Sequence, residues 1–338
     1  DSANLNIKVE MFNEKQQLKV KEKFISDYGK VSLLFNKNPK DLELTYSQIG
    51  QKTYQRMEGD SIQLWYDMDS IRNWKIFLKQ DTFLNDTIRV RTKSKSKFFD
   101  ENPFQIVNSR GAVGRRNSKK RKKNEEDEPK LKTVLGIKRV NPTLLLEFNF
   151  NYPLDSIDLS KIKVLEDTSK IEVNPTISID STDKRNLFFD FKWKEKMNYQ
   201  IDLLPGAVTD FYGNKNDTLE QPILIQEKKE FGNLILLVKP LRKDTNYIVE
   251  VLKPDGSLLK SFNFEQQTEA KEELKFLPVG EYSIRLIEDL NKNGQWDPGD
   301  YDLKRQPERV YKKTIEQLRA NWDVEVKVRE TDLNLEKS

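Results

Sequence analysis

The chain has 338 residues, of which 34% are charged and 36% are hydrophobic, and 59 Lys and Arg against 55 Asp and Glu give it a formal net charge of +4. This length allows two or three domains, and so balanced a charge predicts no overall attraction to nucleic acid or to a membrane surface. The chain has no Cys and no His, which excludes Cys-His dyads, Ser-His-Asp triads, thiol redox chemistry and Cys/His zinc sites.

Short runs of alternating apolar and polar residues recur along the first third of the chain. They have the length, the β-branched and aromatic content and the flanking turn residues of strands, and no helical stripe persists over three turns. Clear examples are residues 31–35, 62–66, 74–78 and 88–90. The predicted fold class is all-β, built from tandem β-sandwiches.

A loose repeat indicates that one sandwich is duplicated. Three landmarks recur in the same order, and the matching pairs are residues 34–39 with 147–153, 73–78 with 198–203, and 85–87 with 216–218. Such ordered self-similarity predicts two related sandwiches, over residues 5–98 and 134–226.

A dense block of charge separates these two predicted sandwiches. Arg115, Arg116 and the basic run 119–123 are followed by the acidic run 125–128. Such a block buries too little apolar surface to order itself, so residues 108–133 are predicted to be a flexible linker and mobile joint. The alternative is a basic docking patch for phosphate groups or acidic partners. Nucleic-acid binding is not predicted, because no aromatic residues are interleaved with the basic ones.

A third sandwich is predicted from about residue 231 onward. Its strands cover residues 233–239, 246–252, 258–265 and 322–328, and a tight corner at Gly280 leads into Tyr282. The predicted domains are a first sandwich, the charged linker, a second sandwich, a third sandwich and a tail, at residues 1–107, 108–133, 134–228, 229–330 and 331–338. The predicted core includes Phe35, Trp65, Phe148, Trp193, Tyr282 and Trp322.

Residues 289–300 have the spacing of a calcium-binding loop. Oxygen-bearing side chains occupy positions 1, 3, 5, 7, 9 and 12, and Gly294 at position 6 permits the sharp turn. The predicted ligands are Asp289, Asn291, Asn293, Gln295, Asp297 and Asp300. The calcium would be structural, with a dissociation constant of roughly 0.1–1 mM. The alternative is a metal-free turn closed by Asn and Asp bonding to their own backbone.

Two stretches resemble known families. Phe148-Asn149, Trp193 and residues 204–214 are similar to the bacterial Ig-like domain of S-layer proteins, and residues 276–282 followed by 289–300 resemble the transthyretin-like regulatory module of carboxypeptidases. Together the modules resemble the C-terminal portion of Ig-like-domain lipoproteins of Bacteroidota. The resemblance implies tandem immunoglobulin-like and transthyretin-like β-sandwiches, with an Ig-like sandwich at residues 1–107, a bacterial Ig-like sandwich at 134–228 and a transthyretin-like sandwich at 229–330. That resemblance implies an outer-membrane location through a lipid anchor upstream of this segment, and it carries no catalytic residues.

The predicted function is a non-enzymatic structural and protein-interaction subunit of the bacterial cell envelope, with partners in an outer-membrane complex. No catalytic residue is assigned, and no cofactor apart from the structural calcium. The alternative is a carbohydrate-binding accessory module of a surface glycan-processing complex, with a sugar platform formed by Trp65, Trp74 and Trp193. Exposed rings on one sheet face would favour that alternative, and buried rings would favour a scaffold. No segment is apolar for long enough to span a membrane.

Overall fold

The structure is a computed structural model, and it confirms an all-β chain of immunoglobulin-like sandwiches. It divides into two compact units, Gln17–Gln226 and a unit that includes Glu227–Ser338. The residues that the structure describes are 18–26, 28–40, 42–47, 52–68, 73–80, 84–92, 94–107, 133–166, 170–238, 245–265, 269–297, 304, 306–328 and 334–335.

The first sandwich packs a four-stranded sheet, in the order β1-β2-β5-β4, against a three-stranded sheet, in the order β3-β6-β7. Its strands are β1 (Val20–Ile25), β2 (Lys30–Phe35), β3 (Glu43–Tyr46), β4 (Lys52–Glu58), β5 (Ser61–Asp67), β6 (Asn73–Gln80) and β7 (Leu84–Arg91). Burial alternates along β2, where Val31, Leu33 and Phe35 point into the core, as period-2 geometry requires.

The second sandwich follows the short helix α1 (Lys95–Glu101). Its strands are β8 (Thr133–Val134), β9 (Lys138–Val140), β10 (Leu146–Asn149), β11 (Leu154–Ile157), β12 (Ile162–Glu166), β13 (Thr176–Ile179), β14 (Asn186–Asp190), β15 (Asn198–Leu203), β16 (Val208–Asp210) and β17 (Leu219–Ile225). They form sheets in the orders β10-β14-β13, β11-β16 and β12-β15-β17-β8, with β9 also pairing with β17. Phe148, Phe189, Trp193 and Tyr199 fill the core.

The unit that includes Glu227–Ser338 holds the third sandwich. Its strands are β18 (Gly232–Val238), β19 (Asn246–Leu252), β20 (Leu258–Phe264), β21 (Ala270–Leu277), β22 (Ser283–Asp289), β23 (Val310–Thr314), β24 (Asp323–Val328) and β25 (Asn334–Leu335). The sheets have the orders β21-β18-β24 and β20-β19-β22-β23-β25, and they enclose a core that includes Leu236, Tyr282 and Leu286.

The chain joins the second sandwich before the charged segment begins. Phe104 stacks on Phe150 at 5.2 Å, Ile106 pairs with Phe150, and the Val107 amide donates to the Asn149 carbonyl at 2.7 Å. After the segment, β8 pairs with β17 of the same sandwich. Both described flanks of the charged segment are therefore held by the second sandwich. Residues 108–132 lie outside the described residues, so the linker and joint role of residues 108–133 and the domain boundaries stay predictions.

Five of the six predicted core residues are buried, and the prediction that Trp322 belongs to the core is wrong. The ring of Trp322 is 55% exposed and lies 5.2 Å from the Arg319 guanidinium. Alternation from Val324 and Val326 would place it inward. However, β24 begins only at Asp323, and the left-handed backbone of Asn321 (φ 58°) redirects the chain just before Trp322.

Candidate functional site

The predicted calcium loop begins at the end of β22. Asp289 is buried, and its two carboxylate oxygens accept the backbone N–H groups of Asn293 at 3.0 Å and Gly294 at 2.8 Å. Gly294 has a φ of +75°, a conformation that an L-residue with a side chain rarely adopts. The side chain of Asp289, the first residue of the motif, therefore closes the loop by accepting hydrogen bonds from the loop's backbone.

Four of the six predicted ligands lie together in this loop. The amide nitrogens of Asn291 and Asn293 lie 2.6 and 2.5 Å from one oxygen of Asp297. Gln295 is exposed, and its N–H donates to the Asn293 side-chain oxygen at 2.8 Å. Asp300 lies outside the described residues.

Glu308 is a buried member of the loop that the motif does not contain. Its two oxygens accept the N–H groups of Leu290 at 2.8 Å and Asp297 at 2.9 Å, and its carbonyl accepts the Trp296 indole N–H at 3.0 Å. Burial, aided by the charge of Asp297, raises the pKa of Glu308 against these hydrogen bonds. No local pattern marks Glu308, because β22 and β23 bring it to the loop only by pairing.

The four predicted ligands that lie together comprise two carboxylates, Asp289 and Asp297, and two amides, Asn291 and Asn293. Among the described residues, no group of three or more Asp or Glu side chains is placed to hold a metal ion. A cation between Asp289 and Asp297 would therefore need the carbonyl oxygens of Asn291 and Asn293 turned toward it. Hard cations such as Ca²⁺ accept such neutral oxygen ligands, with lower affinity than carboxylates give.

A second feature, which we call the clamp, joins the first two sandwiches inside the unit Gln17–Gln226. Its buried rings come from both of them: Tyr28, Trp65, Tyr152, Phe211 and Tyr212. The Tyr212 hydroxyl donates to the Gly29 carbonyl at 2.6 Å, and Phe99 of α1 lies 4.9 Å from the Tyr212 ring. The clamp thus has a packed interior of its own.

Asp210 sets the conformation of the segment that carries Tyr212 into the clamp. It is fully buried, and it accepts the N–H groups of Tyr212 at 2.9 Å and Asn214 at 2.8 Å and the Asn214 side-chain amide at 2.9 Å. Burial outweighs these hydrogen bonds and raises the pKa of Asp210. Both oxygens of the Asp210 carboxyl are therefore used to hold the turn.

Charged groups surround the aromatic part of the clamp. Asp183 of the second sandwich lies 3.3 Å from the Arg56 side chain of the first and 2.7 Å from Arg185. The cations of Lys30 and Arg185 lie 5.2 and 5.7 Å from the Trp65 ring. Because Asp183 is only 5% exposed, this ion pair is shielded from solvent.

We expect acid to weaken the clamp through Asp183. Burial alone would raise its pKa, but hydrogen bonds from Arg185 and the charges of Arg185 and Arg56 hold it below the ordinary value of 3.8. Its stabilisation is therefore present above pH 3.8 and is lost as the pH falls through the lower folded pKa. Urea unfolding at pH 6 should show Asp183→Asn about 2 kcal/mol less stable than wild type. This difference should shrink at pH 3, and a constant difference would contradict the assignment.

The proposed sugar platform is not on the surface. Trp65, Trp74 and Trp193 are 0, 3 and 6% exposed. Trp74 packs in the first core and Trp193 in the second, while Trp65 belongs to the clamp. Buried rings are the arrangement that favours a scaffold.

No protein-family model and no curated protein matches this sequence. Similar solved structures include SGBP-B of the Bacteroides ovatus mixed-linkage glucan utilization locus, in complex with a mixed-linkage heptasaccharide, at 9% identity over 76% of this chain and 66% of that chain, with a TM-score of 0.23. The N-terminal part of the bacterial S-layer protein SbsC matches at 9% identity over 57% and 44%, with a TM-score of 0.26. The BSP domain of a biofilm associated protein matches at 9% identity over 85% and 66%, with a TM-score of 0.21.

These likenesses are limited to the kind of fold. This chain spans less than two thirds of each of those three chains, and at such identities and TM-scores nothing about function follows from them. Within the described part of the chain, no helix has the length and apolar character needed to cross a membrane.

Proposed function

We propose that this chain is a non-enzymatic structural and protein-interaction subunit of the bacterial cell envelope, positioning partners at the outer membrane. The observation that carries the proposal is the clamp. A joint filled with buried rings and closed by the Tyr212 to Gly29 hydrogen bond fixes one sandwich against the other. The distance between binding surfaces on the two sandwiches is then fixed. A fixed distance suits a scaffold, because its partners are held without an ordering cost at binding.

The buried acids that could suggest catalysis have structural partners. Asp183 pairs with Arg185, Asp210 holds the turn at Tyr212, and Glu308 closes the loop after β22. Structural ion pairs and hydrogen bonds also perturb the pKa of a carboxyl, so a perturbed carboxyl that has such partners is weak evidence of a catalytic site. These three are accounted for, which supports a non-enzymatic role.

Strand β1 is a surface through which this scaffold could make contact. It forms one edge of the four-stranded sheet, and its middle residues are exposed, including Phe24 at 65%. Edge strands offer unpaired backbone groups to a partner strand, and an exposed ring beside them adds apolar contact. The partner we propose is another folded envelope protein.

Site-specific photo-crosslinking in the native cell tests this proposal. A photoreactive residue at Lys23 should crosslink to an envelope protein, and the same residue at exposed Lys192 on the second sandwich serves as the control position. Replacing residues 109–128 by a Gly-Ser segment of equal length should leave folding and crosslinks unchanged, because both described flanks are held by one sandwich. Loss of the crosslinks in this folded variant would instead make the charged segment the docking site.

One result would overturn the non-enzymatic part of the proposal. The purified chain would have to turn over a glycan, a peptide or a phosphate ester, and a single Asp or Glu substitution would have to abolish that turnover.

We also propose that the loop from Asp289 to Asp297, together with Asp300, binds a structural calcium ion. Support comes from the convergence of Asp289, Asn291, Asn293 and Asp297 in one turn. Calcium at 10 mM and a dissociation constant near 1 mM would stabilise the third sandwich by about 1.4 kcal/mol. The envelope exterior is where a site of such modest affinity fills.

A further inference from the structure

Asn246 carries a buried side-chain oxygen that has no hydrogen-bond partner among the described residues. It is the first residue of β19 and is only 9% exposed, yet this oxygen accepts no hydrogen bond from the part of the chain that the structure describes. A buried acceptor without a donor is unfavourable, so native structures rarely keep one unless it serves a ligand, an ion or water. This oxygen is therefore a candidate ligand atom.

The register of the sheet places Asn246 beside the first residue of the calcium loop. Asn246 of β19 is directly opposite Asp289 of β22 in an antiparallel pair. Side chains of such a pair lie on the same face of the sheet, with Cβ atoms about 5 Å apart. The Asp289 carboxylate enters the loop, where it accepts the N–H groups of Asn293 and Gly294. The Asn246 side chain thus lies beside the same space.

The loop also folds back over the end of β19. A Cβ placed on Gly294 would lie 3.3 Å from the Asn263 side-chain nitrogen. Asn263 of β20 pairs with Ile248, which lies two residues after Asn246 and so on the same face. The loop therefore crosses the face that carries Asn246, which explains why a polar side chain at a strand end is buried.

We propose that the Asn246 side-chain oxygen is a ligand of the cation bound by the Asp289 loop. This inference rests on the proposed calcium site and adds a cross-strand ligand to it. Calcium takes 6–8 oxygen ligands, including Asn carbonyls, and the loop alone supplies few carboxylates. Coordination by Asn246 would tie the loop to β19 as well as to β22, so the ion would fasten two strands of the five-stranded sheet.

Calcium titration calorimetry on the full chain tests the ligand role. The wild type should bind one ion, and Asp289→Ala should remove binding. Asn246→Leu, which keeps the branched shape and the number of side-chain heavy atoms but has no oxygen, should bind calcium at least about tenfold more weakly. Asn246→Asp, which adds a charge, should bind more tightly. The matched control is Asn233→Leu, because Asn233 bonds to Asp323 and Phe276 on the other sheet.

The melting temperatures of the calcium-free proteins provide a second readout. In it, the order of Asn246→Leu and the control Asn233→Leu is reversed relative to calcium affinity. Without calcium, Asn246→Leu should melt no lower than wild type, because it removes an unsatisfied buried acceptor, whereas Asn233→Leu should melt lower and keep its calcium affinity. The Asn246 assignment would be overturned if wild type, Asn246→Leu and Asn246→Asp bound calcium with equal affinity while Asp289→Ala bound none. That result would leave the calcium site itself standing. A wild type that binds no calcium would overturn both.

Discussion

Replacing Tyr212 with alanine is expected to lower the free energy of unfolding of the unit Gln17–Gln226 by about 3–5 kcal/mol. The side chain is 6% exposed and lies within 6.0 Å, between ring centroids, of Tyr28, Phe99, Tyr152 and Phe211. Its hydroxyl is the hydrogen-bond partner of Gly29. Alanine would leave a cavity where the two sandwiches meet, and each sandwich would keep its own core.

Spin labels measure the loosening directly, since the chain has no Cys of its own. Labels on Cys residues introduced at exposed Lys75 and Lys192 should give a narrow distance distribution in the wild type and a broad one in Tyr212→Ala. The control Tyr212→Phe keeps the ring and loses only the hydrogen bond, so it should cost about 1 kcal/mol and leave the distribution narrow. An equally narrow distribution in Tyr212→Ala would refute the clamp.

Replacing Gly232 with alanine should destabilise the third sandwich by about 3 kcal/mol. A Cβ at this position would lie 2.5 Å from the Arg319 carbonyl oxygen and 2.8 Å from two carbons of the Leu318 side chain. The backbone there has little freedom to move, because Leu318 and Gly280 exchange two hydrogen bonds at 2.9 and 3.2 Å. The start of β18 must therefore shift away from residues 318–319.

Differential scanning calorimetry tests this prediction. A loss of 1 kcal/mol lowers the melting temperature of a domain of this size by roughly 4–8 °C, and only the transition of the third sandwich should move. The control is Gly136→Ala, where no atom of the described residues lies within 4 Å of the added Cβ, so the change should be close to neutral. Equal effects of the two substitutions would show that Gly232 is not constrained by packing.

The strands were predictable because period-2 alternation is a local pattern. Which faces of a strand are buried was not always predictable from that pattern. Trp65 and Tyr66 are adjacent and both fully buried, on opposite faces of β5. Tyr66 packs in the first core, while Trp65 packs in the clamp, so its burial depends on a second sandwich that alternation cannot reveal. The repeat landmarks succeed in part, since Asn73 and Asn198 begin β6 and β15.

The candidate site shows the same division between local and tertiary information. Spacing alone brought Asp289, Asn291, Asn293 and Asp297 together, because a glycine-centred turn is encoded within a few residues. Glu308, just before β23, and Asn246, at the start of β19, lie 19 and 43 residues away from Asp289 in sequence. Only strand pairing places them there, so no motif could have identified them.

The pairing of β18 with β24 has a mechanical consequence. In sequence, β18 lies near the start of the third sandwich and β24 near its end. In the fold they run parallel and side by side over six residue pairs. A pull on the two ends, once the short β25 pairing has given way, acts along the strands and loads all the hydrogen bonds between them at the same time. An antiparallel hairpin pulled at its open end would instead lose its bonds one by one. The third sandwich is thus arranged to resist tension that is applied to its two ends.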